Sequence, residues 1–111
     1  MLLNDITIVI TTFYSEKKLF ECLKSINNKC KVIVVENSNN KKLKEKLENN
    51  YKNLNCIITK ENFGYGKSNN LGLDMVKTKY ALVLNPDTIL AKDTLENFLE
   101  ASNKLKDFAI L

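Results

Sequence analysis

Three observations predict a three-layer α/β/α domain with a mostly parallel sheet. Short apolar runs alternate with amphipathic helical stretches along the 111 residues. The runs are continuous and rich in β-branched residues, as strands covered on both faces are. The segments after the runs are polar, Gly64, Gly66 and Gly72 cluster around one of them, and Pro86, the only proline, lies in another. Repeated strand-helix alternation calls for parallel strands joined by right-handed crossovers, with helices on the sheet faces.

Ile6 to Thr11 (ITIVIT) is a β-branched run and reads as the first strand. Ser15 offers an N-cap to a helix carrying Leu19, Phe20, Leu23 and Ile26, and Asn27-Asn28 ends it. Lys31 to Val35 is the second strand. Leu43 and Leu47, four apart among Lys and Glu, mark a short amphipathic helix. Asn55 to Thr59 is the third strand. A helix over Lys67 to Thr78 carries Leu71, Met75 and Val76. Tyr80 to Leu84 is the fourth strand, and Lys92 to Lys106 forms a helix with Leu95, Phe98, Leu99 and Leu105. Phe108 to Leu111 reads as the start of a fifth strand.

The length fits one domain over 1–111, with no repeat, linker or internal boundary. With 44% hydrophobic and 27% charged residues, the composition is that of a globular protein. The net charge of +4 comes from scattered Lys, not from a basic patch interleaved with aromatics, so nucleic acid is not an expected partner. Arg is absent, so a bound diphosphate would be neutralised by Lys, backbone N–H groups or a metal. His is absent too, which removes Ser-His and Cys-His catalysis. Cys22, Cys30 and Cys56 lack C-x-x-C spacing; Cys22 and Cys56 read as small core residues, and a reducing cytosol suits them. No leader-like segment opens the chain, and no apolar run approaches a membrane span. The expected location is cytoplasmic, with the inner face of the membrane as a peripheral alternative.

In a parallel sheet the loops after the strands gather along one edge, where ligands bind. Those loops are Thr11 to Ser15, Glu36 to Asn40, Lys60 to Gly66, and Asn85 to Thr88. The series ITIVITTFYS, VIVVENSNN, NFGYGKSNNLGL and YALVLNPDTIL, in that order and spacing, resembles the N-terminal half of glycosyltransferase family 2, within its rhamnosyltransferase-like branch. The resemblance covers almost the whole chain. It implies a truncated, Rossmann-like GT-A fold that binds a nucleoside-diphosphate sugar, UDP- or dTDP-linked. The implied activity is that of a hexosyltransferase in polysaccharide biosynthesis, passing the sugar with inversion to the hydroxyl of a saccharide or lipid-linked acceptor.

The resemblance also implies site residues. Asn85-Pro86-Asp87 falls where the family carries Asp-x-Asp, so Asp87 would hold Mg²⁺ or Mn²⁺, with Asn85 a neutral amide in place of the first Asp. Such ions take one or two carboxylates plus substrate phosphates. A plain turn with an Asp N-cap remains the other reading of those residues. Glu36, or Asn37 beside it, matches the family's acceptor for the base or ribose. Thr11, Thr12 and Phe13 match its Thr-Tyr pair against the base, unless Phe13 is a core aromatic. Asn62, Gly64 and Asn70 belong to its N-x-G…N-x-G segment, where Gly64 and Gly66 would allow a tight loop near the nucleotide; Asn70 and Gly72 could equally pack the helix on the sheet.

Family members are generally more than twice this length, so the acceptor pocket and general base are expected outside these residues, and no catalytic base is named. The isolated chain is expected to be inactive. A non-catalytic nucleotide-sugar-binding module or an inert gene fragment is the rival reading. A terminal strand at an uncovered sheet edge invites self-association, so a homodimer is also expected. A receiver domain is excluded because Thr-Thr-Phe-Tyr and Glu61-Asn62 stand where its acidic residues belong. A sugar nucleotidyltransferase lacks its Arg-containing loop here.

Overall fold

The computed structural model describes residues 3–104. After a 3-10 turn at Leu3–Asp5 the elements run β1 (Ile6–Thr12), α1 (Glu16–Lys24), β2 (Lys31–Glu36), α2 (Lys41–Asn50), β3 (Leu54–Ile58), α3 (Tyr65–Asp74), β4 (Tyr80–Leu84) and α4 (Thr94–Lys104). The expected Phe108–Leu111 strand and Leu105 lie outside the described residues.

The strands form one sheet in the order β3-β2-β1-β4, and every pairing is parallel. Residues of even number on β1 and β2 share one face. There Ile6, Ile8, Ile10, Val32 and Val34 meet Leu19 and Leu23 of α1, Leu43 and Leu47 of α2, and Leu95 and Leu99 of α4. Odd-numbered Val9, Ile33 and Val35 face the other way, against Leu71 and Val76 of the α3 segment. Helices therefore cover both faces, giving the three layers. Coverage is uneven: Ala81 is exposed and Val83 is 38% exposed, so α3 does not extend over β4.

Gly72 allows α3 to lie this close. A Cβ there would fall 2.6 Å from Val9 Cγ1 and 3.2 Å from Val35 Cγ2. Cys22, Cys30 and Cys56 are free thiols buried in the core, and burial pushes their pKa from 9.0 to about 11, 11 and 12.

The elements depart from expectation mainly at their ends. The α3 helix starts at Tyr65 and ends at Asp74, not Lys67 to Thr78, and Met75 is 52% exposed at its C-cap rather than in the core. The start is set by Gly64, whose φ of +80° turns the chain into the first turn. Ser15 holds the N-cap position of α1, but its hydroxyl makes no cap; it donates to the Phe13 carbonyl at 3.1 Å. Asn40 does cap α2, accepting from the Leu43 N–H at 3.0 Å.

Candidate functional site

The strand order defines the site. From β1 the chain steps outward to β2 and β3, with α1 and α2 on one face. It then returns over the opposite face through α3, passing β1 to reach β4. The direction of travel reverses between β1 and β4. At such a switch point the flanking loops diverge and leave a crevice outside the strands' carboxyl ends. Phe13 and Tyr14 follow β1, and Asn85 to Thr88 follow β4.

Hydrogen bonds join the four loops to one another. The Asn37 N–H donates to the Thr12 carbonyl at 2.9 Å, linking the ends of β2 and β1. The Thr59 N–H donates to the Glu36 carbonyl at 3.0 Å, linking β3 to β2. Asn37 Oδ1 accepts from Thr59 Oγ1 at 2.7 Å and from Ser68 Oγ at 2.8 Å. Thr11 Oγ1 donates to Asn69 Oδ1 at 2.6 Å, and the Tyr65 phenol donates to Asn85 Oδ1.

The residues singled out by sequence fall into two groups. Phe13 is 46% exposed in the loop after β1 and is not a core aromatic. Asn62, Gly64, Asn70, Asn85 and Asp87 are also exposed. Asn62 Oδ1 accepts from the Gly64 N–H at 2.9 Å, which folds the loop ahead of α3. Asn85, Pro86, Asp87 and Thr88 form a turn closed by the Thr88 N–H on the Asn85 carbonyl at 3.0 Å.

The second group is buried. Thr11 and Asn37 are engaged as described. Glu36 is fully buried: Oε1 accepts from the Ser38 N–H at 3.0 Å and from the Ser38 hydroxyl, and Oε2 from the Asn40 N–H at 2.8 Å. Its carboxylate is thus held by its own loop. Thr12 is buried as well, and its hydroxyl has no hydrogen-bond partner among the described residues.

Tyr65, Ser68 and Asn69 join the site without having been singled out. With Gly72 they occupy positions i, i+3, i+4 and i+7 of α3, one stripe of a helix. Applying that period to polar residues as well as apolar ones finds them. A Cβ on Gly66 would meet no protein atom within 4 Å. Lys67 stands over the Phe63 ring, its Nζ 4.4 Å from the centroid.

For a divalent cation the residues offer little by themselves. Among the described residues no group of three or more His, Cys, Asp and Glu forms a metal cage. The Asn85 side-chain oxygen accepts from the Tyr65 phenol. Asp87 fits an ion whose other ligands are phosphate oxygens and water, the usual habit of Mg²⁺.

The model described as glycosyl transferase family 2 matches residues 7–111. A teichoic acid poly(glycerol phosphate) polymerase of Staphylococcus epidermidis is 30% identical over 109 residues, covering 91% of this chain and 15% of the relative. The low-salt glycan biosynthesis hexosyltransferase Agl10 of Haloferax volcanii is 29% identical over 98 residues, covering 85% of this chain and 31% of the relative. This chain therefore spans well under half the length of either. Crystal structures of S. aureus TarS 1-349, without and with UDP, superpose with TM-scores of 0.76 and 0.75. Both are 26% identical and cover 89% of this chain and 32% of TarS 1-349. Among the described residues no helix is long and apolar enough to cross a membrane.

Proposed function

Since the chain belongs to glycosyl transferase family 2, we propose that the crevice between the β1 and β4 loops seats a nucleoside-diphosphate sugar, UDP- or dTDP-linked. The observation that carries the reading is the reversal of strand order at β1 and β4, which leaves an open aromatic, Phe13, and an exposed carboxylate, Asp87, on loops flanking one crevice. The UDP complex of TarS, a structure of similar fold, supports it.

In this reading the base lies against Phe13, with the Asn62–Gly64 loop bounding the nucleotide. The Tyr65 phenol donates to Asn85 Oδ1, which leaves both amide N–H groups to meet a phosphate or ribose oxygen. Asp87 would hold the Mg²⁺ or Mn²⁺. That ion would take up charge gathering on the departing diphosphate. The acceptor hydroxyl attacks the anomeric carbon as the bond to the diphosphate breaks, and inversion follows from a single displacement. The acceptor is a saccharide or a lipid-linked hydroxyl. The hydroxyl proton passes to a base that we do not assign, because Glu36 is occupied within its loop and Asp87 serves the ion. The isolated chain is accordingly expected to bind donor without transferring it.

A thermal-shift panel of UDP-, dTDP- and GDP-sugars with and without Mn²⁺ tests this. Ligand at about 100 times its dissociation constant adds about 2.7 kcal/mol of stability, an easily measured rise in Tm. UDP- or dTDP-sugars should give that rise, and Asp87→Ala should lose only its Mn²⁺-dependent part. A panel in which no nucleotide sugar moves Tm would sink the proposal.

A further inference from the structure

One backbone geometry occurs twice in this chain with two different side chains. Among the described residues, Tyr14 and Asn39 are the non-glycine positions with positive φ, at 52° and 56°. Each immediately precedes a helix N-cap, Ser15 for α1 and Asn40 for α2. The left-handed region crowds Cβ against the backbone. Asn tolerates it through local hydrogen bonding, whereas a bulky side chain does not. Asn39 is therefore the residue this turn favours, and Tyr14 is not.

Packing does not account for Tyr14. It is 78% exposed, and its ring meets Phe13 edge-on, with centroids 4.6 Å apart and planes at 70°. Strained residues of this kind persist where function uses them. Tyr14 stands in the loop after β1, beside the crevice. Two rings at a steep angle form an open corner. A flat heterocycle lying on one ring presents its edge to the other, and both contacts suit the ring quadrupoles.

We propose that Tyr14 is a ligand-contacting residue, the second aromatic wall of the nucleobase site, and that its strained backbone is kept for the placement of its ring. The inference rests on the nucleotide reading above and adds to it a residue that affects base affinity at the expense of fold stability.

The test uses the full chain, with UDP and inorganic pyrophosphate as separate probes and melting measured without ligand. Tyr14→Asn should melt higher than wild type, because the strain is relieved. It should bind UDP at least about fivefold more weakly, the low end of what base–aromatic stacking contributes, and bind pyrophosphate unchanged. Tyr14→Phe should bind UDP like wild type, since the ring and not the hydroxyl makes the contact. If Tyr14→Asn binds UDP as tightly as wild type, or loses pyrophosphate equally, the inference is overturned while the nucleotide site stands. If wild type binds none of UDP, dTDP and GDP, the nucleotide reading fails and takes this inference with it.

Discussion

Glu36 shows what a single residue in this chain reveals by sequence and what it withholds. Its place at the end of β2, among the ligand-facing loops, is readable from the apolar run before it. Its direction was readable too, because side chains alternate along a strand and Glu36 follows Val32 and Val34 onto the face that α1, α2 and α4 cover. Its partners were not readable, since they depend on Ser38 and Asn40 folding back over it. A buried carboxylate that satisfies two backbone donors is a loop-forming group. Glu36→Ala should therefore cost about 3 kcal/mol through donors left without an acceptor, measured as a lower urea midpoint. A loss of UDP affinity with an unchanged midpoint would instead make Glu36 a ligand contact.

At the scale of the element, α3 departs furthest from its sequence reading. Leu71, Met75 and Val76 suggested a helix centred too late, because apolar periodicity says nothing of a helical stripe made mainly of hydrogen-bonding residues and glycine. Tyr65, Ser68, Asn69 and Gly72 form that stripe, hydrogen-bonding Asn85, Asn37 and Thr11 and packing tightly on Val9. Sequence left open whether Gly72 packs or binds. The 2.6 Å gap to Val9 Cγ1 makes it a packing residue. Gly72→Ala should gain about 1 kcal/mol of helix propensity but lose more by pushing α3 off the sheet, where overpacking costs about 1–3 kcal/mol. Chemical denaturation should register a net loss, and Gly66→Ala, with open space around it, should not.

For the whole molecule, strand-helix alternation conveyed the parallel sheet and its two covers but not the strand order, which depends on the face each crossover takes. The choice of α3 for the opposite face from α1 and α2 places β4 beside β1 and so creates the crevice. It also grades the stability of the sheet. β1 and β2 are paired on both sides, whereas β4 pairs with β1 alone among the described strands and leaves Ala81 and Val83 uncovered. Amide exchange should be slowest in Ile8 to Ile10 and Val32 to Val35, near the global unfolding limit, and faster across β4; uniform protection of all four strands would contradict this grading. The Tyr65 phenol on Asn85 reaches across this unevenly braced sheet, tying the first turn of α3 to the turn after the edge strand β4. Parting the start of α3 from the turn after β4 would therefore cost this contact.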